Sequence, residues 1–450
     1  MIKPLKIGIT GVRGIVGETF TPELAVGFAQ AFGTYLDGGR VLICRDTRPS
    51  GPMVSAAVLA GLLAAGCEVT DLGTCPTPSL QLAVTWLDAD GGIAITAGHN
   101  PAEWNALKFV RGDGLYLNTT EAEELLDVFH QGEFAKETWD RIATGIQHRD
   151  PIQHHLAILT EAFDATAIRN RKLKVAVDCC NGACSLLIPL WLKQLGCEVI
   201  TVNDDPTAPF PHRPEPTPET MAQVSAVVKA SRADIGFAHD ADGERVGIVT
   251  DLGEPLSEEL TLAIATHIRL RRQTGAVVTN VSTTSAIDQI VARHDGAVIR
   301  TAVGQAYISE AMSDHNAILG GEGSGGVTVP EIHLTHDSAA AVGLILEGLA
   351  HSGEQVSQMA MQLPKLIMLK RNLAIEPNQL YSVLQNFRNI VDRERLNYDL
   401  TDGVKVFLPE GWIHVRASNT ESMIRIIVEA DKAKNANYLL DWARDKLKWQ

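Results

Sequence analysis

No apolar run in the chain reaches the ~18–20 residues that a membrane-spanning helix needs, basic residues are not in surplus, and no two cysteines form a Cys-x-x-Cys pair. Each absence removes a class of function. With 39 Lys and Arg against 54 Asp and Glu, the formal net charge of −15 denies the chain the basic face that a nucleic-acid or anionic-membrane binder requires. A small anionic ligand stays allowed, because it needs only a local cluster of Arg and Lys. Seven cysteines, an odd number without dense spacing, are expected as reduced thiols. Cys179, Cys180 and Cys184 lie close together, but no nearby histidine completes a zinc set, and plain packing accounts for them. The opening residues Met1 to Lys6 lead into a strand and not into an apolar signal region, so a cytoplasmic location is expected.

At 450 residues the chain exceeds the roughly 250–300 at which a single core stops growing, so several domains are expected. A repeated pattern shows what kind. Leu63 to Val69 closes a helical stretch and opens a strand, Leu192 to Val199 does the same, and strands Val41–Cys44 and Val175–Asp178 precede them. A looser third copy runs from strand Ala276–Thr279 through a helix at Ile287–His294 to Gly296-Ala297-Val298-Ile299. Strand, helix ended by a left-handed Gly, strand is the βαβ signature of a parallel sheet. Turn-rich breaks at Gln147–Pro151 and Asp251–Pro255, and a change after about Leu363 to short alternating strands with a closing helix, divide the chain. The expected fold is α/β, with three related domains of largely parallel sheets at 1–150, 151–254 and 255–364, and a smaller α+β domain at 365–450. Thr21-Pro22 marks one helix start, a hydroxyl cap with proline in the first turn.

Four segments carry chemistry. Thr96-Ala97-Gly98-His99-Asn100-Pro101 follows the apolar run Gly92–Ile95, with Lys108 in the same loop region. Asp240-Ala241-Asp242-Gly243-Glu244-Arg245 sets three carboxylates at alternate positions between two apolar strands, a spacing that can converge on one hard cation such as Mg²⁺. A calcium EF-hand needs glycine at the sixth loop position, where Arg245 stands, and flanking helices; a solvated acidic turn is the plainer alternative. Gly320 to Gly326 brackets Glu322 and Ser324 with glycines that let backbone approach a ligand, while the two side chains can accept from and donate to sugar hydroxyls. Arg416-Ala417-Ser418-Asn419-Thr420, with Arg425 beyond, has the guanidinium and hydroxyl set of a phosphate clamp, against the alternative of a strand-edge Arg beside a polar turn.

Together these segments resemble the α-D-phosphohexomutases, and the resemblance runs essentially from end to end. In that family a serine between the alanine and histidine of the first loop carries the phosphoryl group. Here that position is Gly98. The resemblance implies that Arg13, in Gly11-Val12-Arg13-Gly14, faces the phosphoryl site, and that His99, Lys108 and Arg245 act beside it. It implies a metal loop of Asp240, Asp242 and Glu244, where the family's usual aspartate is replaced by Glu244. It assigns sugar recognition to Gly304, Tyr307, Glu322 and Ser324, and phosphate binding to Arg416, Ser418, Asn419, Thr420 and Arg425, with Ser422 in place of the usual proline. The Gly304–Tyr307 match is partial, since a charged residue commonly follows the glycine. The doubled glycine at Gly320-Gly321 is the form of the archaeal-type phosphoglucosamine mutases and their bacterial relatives.

The implied reaction moves a phosphoryl group between the 1- and 6-positions of a hexose phosphate, with Mg²⁺ and a hexose 1,6-bisphosphate activator; the implied partner is the small sugar phosphate, and a homodimer stays open. Glycine has no atom to carry the group. Three readings follow: a working mutase using a bound bisphosphate or Thr96 in place of serine; a binding or regulatory protein that has lost turnover; or a mutase whose serine has been replaced. His99 is expected to orient the loop, and Lys108 to act as proton shuttle or charge anchor. Phosphatase activity is a weaker rival, for want of an Asp nucleophile in its proper context.

Overall fold

The computed structural model describes residues 5–8, 11–143, 146–376, 379–418 and 423–448. One four-strand unit occurs three times. Its central strands are Arg40–Arg45, Lys174–Asp178 and Ala276–Asn280. Each has a parallel neighbour on one side, Glu68–Thr74, Glu198–Val202 or Ala297–Thr301. On the other side stands a second parallel neighbour, Gly91–Ile95, Ile235–His239 or Leu319–Glu322. That strand then folds back on an antiparallel partner, Trp104–Arg111, Val246–Val249 or Gly326–Thr328. The first sheet is extended by Lys6–Gly8 and Gly11–Ile15 at one edge and Gln147–His148 at the other.

The expected helix ends hold in two units and shift in the third. Gly66 and Gly196 take left-handed φ of 89° and 76°, as the βαβ pattern required. In the third unit the left-handed residue is Asp295, at 50°, and Gly296 follows it. Aspartate tolerates this region better than most side chains, so the turn needs no glycine there. Thr21 caps the helix Pro22–Tyr35 by accepting from the Leu24 amide at 3.3 Å.

The fourth sheet is antiparallel, in the order Ile367–Ala374, Met423–Ala430, Gly411–Ala417, Val404–Leu408, Asn397–Asp399. Its core of Phe387, Val391, Ile413, Ile426 and neighbours is separate. By contrast, one apolar cluster runs from Leu42 and Leu80 in the first unit through Trp191 and Phe237 to Leu344 and Ile345 in the third. Its axis is the helix Ser338–Ser352, buried over most of its length; a side chain at Gly343 would meet Phe163 and Trp191 at 2.5 Å. Ser79, His155 and Asp337, one from each unit, form a buried chain, Ser79 Oγ to His155 Nδ1 at 2.8 Å and His155 Nε2 to Asp337 Oδ2 at 2.9 Å. The layout is that of a hydrolase triad, but none of the three reaches solvent, so it pins three domains together.

All seven cysteines are free and six are buried, as the packing reading expects. The absence of a nearby histidine is corrected: His212 Nδ1 lies 3.8 Å from Cys180 Sγ, brought from 32 positions away by the proline-rich segment, a proximity local spacing cannot show. No helix among the described residues is long and apolar enough to cross a membrane.

The C-terminal domain meets the third unit through polar contacts. Lys405 Nζ donates to Val281 O at 2.8 Å while lying 3.9 Å over the Trp412 ring. His414 bonds Ser282 Oγ through Nδ1 at 2.9 Å and Asp402 O through Nε2. A carbonyl only accepts, so Nε2 carries the proton and Nδ1 accepts from the serine, which is the neutral imidazole. Burial holds His414 down at about 4, well below the ordinary histidine value. The unfolded chain therefore takes up a proton between pH 6.5 and 4 that the folded one refuses. This contribution is fully present above pH 6.5 and is lost as pH falls toward 4, by about 3 kcal/mol at most. Urea midpoints measured from pH 7 to pH 4 should fall, and the fall should flatten in His414→Gln; parallel curves would assign the loss to other groups.

Candidate active site

The repeated unit makes the same turn three times, where its third strand folds back on the fourth, and all three turns meet. They are residues 96–103, 240–245 and 323–325. The second and third are joined through backbone, Val246 N donating to Gly325 O at 3.1 Å, and Asp242 O of the second accepts at 2.8 Å from Thr77 N, at the start of a helix of the first domain. Between them and the end of the fourth sheet lies a cavity of about 400 Å³. Arg13, Gly98, His99, Lys108, Glu244, Arg245, Gly304, Glu322, Ser324, Arg416 and Arg425 line it. Asp240 and Asp242 are buried beneath it. Tyr307 does not line it; its hydroxyl accepts from Thr119 Oγ1 at 3.2 Å, so the expectation of a sugar contact there is corrected. Ser418 closes a strand end by donating its amide to Met423 O at 2.9 Å. Asn419 and Thr420 lie outside the described residues.

Gly98 has φ of +54°, and a Cβ built on it would have Asp242 Oδ1 as its nearest neighbour at 3.4 Å. The space is open. Thr96, the alternative phosphoryl carrier, is not available. It is buried, its hydroxyl donates to Asp46 Oδ2 at 2.6 Å and accepts from Gly98 N at 3.0 Å, and it does not line the cavity.

Arg13 reaches the site because the strand Gly11–Ile15 pairs with Trp104–Arg111, placing Arg13 opposite Ala106. Gly11 makes this approach possible, since any Cβ there would lie 1.9 Å from Leu107 O. Burial and then the neighbouring Arg245 push the Arg13 guanidinium down to about 10. His99 is held well below its usual range by burial, then by Arg245, Arg13, Arg425 and Arg213. It is therefore held neutral, a poor base.

Lys108 Nζ lies 2.7 Å from both Asp242 Oδ2 and Glu244 Oε2. Burial alone would lower its pKa; the two carboxylates outweigh that and raise it. It stays charged, an anchor and not a proton shuttle. The ammonium stands between Asp242 and Glu244, and no group of three or more acidic, His or Cys side chains among the described residues is arranged as a ready cation cage. Two features nevertheless fit a hard cation. Asp242 Oδ1 is buried with no hydrogen-bond partner, and burial followed by the charge of Asp242 raises Asp240 well above the usual carboxylate range.

Glu322 Oε1 accepts from Asn280 Nδ2 at 2.8 Å and Gly304 N at 3.1 Å, which joins the two sugar-binding segments proposed from sequence. Ser324 Oγ is buried and without a partner. Arg416 Nε donates to Asp402 Oδ2 at 2.9 Å, and the same oxygen accepts from Val303 N at 3.0 Å. Sequence reasoning missed Arg213, Glu215 and Thr217, which line the cavity from the proline-rich segment 206–218. The signal was available as a basic and an acidic residue among prolines. It also missed Tyr116, whose hydroxyl donates to Glu244, and Lys370 and Arg371 on the first strand of the fourth sheet.

Gly98→Ser should fold without collision but with left-handed strain, lowering stability by about 1–2 kcal/mol. Denaturant midpoints test this; a loss above about 4 kcal/mol would mean that the open space at Gly98 is not there.

Compared with known proteins, the sequence matches phosphoglucomutase/phosphomannomutase alpha/beta/alpha domain I at residues 4–136, domain II at 153–253, domain III at 257–367, and the C-terminal domain of the same set at 377–445. It is 36% identical to a phosphoglucomutase/phosphomannomutase of Thermococcus kodakarensis, over 96% of each chain. It is 34% identical to a protein of Methanopyrus kandleri named "probable phosphoglucosamine mutase", again over 96% of each. A crystal structure of a phosphoglucomutase/phosphomannomutase family protein from Burkholderia thailandensis superposes with a TM-score of 0.84 at 26% identity, covering 98% of this chain and 96% of that one.

Proposed function

The chain belongs to the phosphoglucomutase/phosphomannomutase family, and from that membership we propose that it interconverts the 1- and 6-phosphates of a hexose or hexosamine, with glucosamine phosphate the favoured substrate. One observation carries the reading: cationic side chains of the first, second and fourth domains and the hydroxyl-reading side chains of the third face a single cavity. A transferring phosphoryl group needs that charge, and sugars that present O1 in one case and O6 in the other need the hydroxyl readers. The substrate preference rests on the name of the Methanopyrus relative and on the doubled glycine at Gly320-Gly321.

Without a side-chain nucleophile, the donor in this scheme is a bound hexose 1,6-bisphosphate. The C1 hydroxyl oxygen of a 6-phosphate attacks the 6-phosphorus of the bisphosphate and gives up its proton. The bond from that phosphorus to the donor's O6 breaks, O6 takes up a proton, and the donor leaves as the 1-phosphate while the acceptor becomes the new bisphosphate. Arg13 and Arg245 offset charge on the moving group. Glu322 and Ser324 hold sugar hydroxyls, Arg416 and Arg425 hold the phosphate that does not react, and neutral His99 orients the loop. Asp240, Asp242 and Glu244 would hold Mg²⁺, with Lys108 drawn aside; the cation, when bound, supplies positive charge to phosphoryl oxygens. A second reading, a sugar-phosphate binder without turnover, is favoured by Gly98 itself.

Asp242→Ala should abolish Mg²⁺ binding by calorimetry; unchanged affinity would end the metal assignment. Glucosamine, glucose and mannose phosphates, assayed with and without the matching 1,6-bisphosphate, decide between the readings. Turnover that depends on bisphosphate supports the mutase, and Gly98→Ser should raise it strongly. Tight binding with no turnover in either protein supports the binder.

A further inference from the structure

Gly98 occupies a left-handed conformation that its own missing side chain cannot select, so the surroundings must hold it. We propose that Arg48, which does not line the cavity, is the positioning residue that fixes the backbone of residue 98 for phosphoryl chemistry; this rests on the reading above that a serine placed at 98 would raise turnover, that is, that residue 98 stands beside the phosphoryl group.

Arg48 is buried with its side chain fully enclosed. Its guanidinium has five N–H donors, and each meets an acceptor. Nε donates to Asp46 Oδ2 at 2.9 Å. One Nη reaches Gly98 O and Asn100 O, both at 2.7 Å; the other reaches Pro101 O and Trp104 O. Four of the five acceptors are therefore backbone carbonyls, three in the loop that carries Gly98 and one, Trp104 O, at the first residue of the strand that follows it. The other side of residue 98 is tied to the same hub. Its N–H donates to Thr96 Oγ1, which donates to Asp46 Oδ2, the oxygen that Arg48 Nε also binds. A closed circuit thus runs from the amide of residue 98 through Thr96, Asp46 and Arg48 to its own carbonyl.

The circuit contains no atom of a side chain at 98, so it sets the geometry whether that residue is glycine or serine. A simple charge partner for Asp46 would need only one or two of the donors. The planar fork with every arm used is what carbonyl capture requires, and a lysine, with three donors and no plane, cannot replace it. From the second domain, Phe210 lies with its ring centroid 5.1 Å from the guanidinium carbon. Its segment, anchored by Asn181 Nδ2 on Pro209 O at 2.7 Å, continues to Arg213 and Glu215 in the cavity wall.

The test compares Gly98→Ser with Gly98→Ser/Arg48→Lys in the full-length protein. Labelled phosphate uptake from glucose 1,6-bisphosphate gives the rate, and calorimetry with the same compound gives the affinity. The added Arg48→Lys should slow uptake by about tenfold or more while Kd changes by less than about twofold, because Arg48 touches the loop and not the ligand. Equal uptake rates, or parallel losses of rate and affinity, would overturn the proposal. If Gly98→Ser binds the bisphosphate yet takes up no phosphate, the expectation that a serine at 98 meets the phosphoryl group fails on its own. Amide exchange of the 96–104 peptide then decides for Arg48: faster exchange in the otherwise unchanged protein bearing Arg48→Lys supports positioning, and equal exchange refutes it. Should Arg48→Lys not fold, Phe210→Leu keeps every charge and is expected to speed exchange of the same peptide; no change there would count against the hub.

Discussion

The ammonium of Lys108 between Asp242 and Glu244 is the contact on which the site depends, because it brings charge from the first domain to the loop of the second. Those carboxylates are crowded, with Asp240 buried beside them. Unopposed, like charges at this distance would force protonation or drive the loop apart. With Lys108 in place the loop stays compact and its glycine backbone closes against both neighbours: Asp242 O accepts from Thr77 N, and Gly243 O accepts from Ser338 N at 3.0 Å.

Topology does the remaining assembly. A parallel strand that ends in a tight return to an antiparallel neighbour leaves a short loop at the carboxyl edge of its sheet, where ligands of α/β folds bind. Three such edges facing one another supply the Gly98 loop, the acidic 240–245 loop and the glycine-rich loop of Ser324 from one architectural unit, with different residues in each loop. The fourth domain, antiparallel and with its own core, adds cations from strand positions instead.

Much of this was legible in the sequence, and the failures have identifiable causes. The repeated strands showed because their apolar runs and following glycines are local signals. The Gly98, Glu244, Glu322 and Arg416 loops showed because their residue types sit within a few positions of one another. Tyr307 was misassigned because a helix start fixes which residues are near a site but not the direction each side chain takes. The fate of Thr96 and the pairing of Lys108 depend on partners 50 and 134 positions away, which no spacing reveals. Arg213 and Glu215 were overlooked because proline-rich stretches read as connectors, while this one is held as a wall by Asn181.

The separate core of the C-terminal domain has a thermodynamic corollary. Among the described residues the cluster of Phe387, Ile413 and Ile426 is separate from the one that unites the other three units, and polar contacts such as Lys405 with Val281 join the domains. Arg416 and Ser324 line the same cavity from the two bodies, so a ligand that engaged both would be an additional cross-link between them. By linkage, such a ligand would stabilise the association of the two bodies and act on the assembly as a reversible staple.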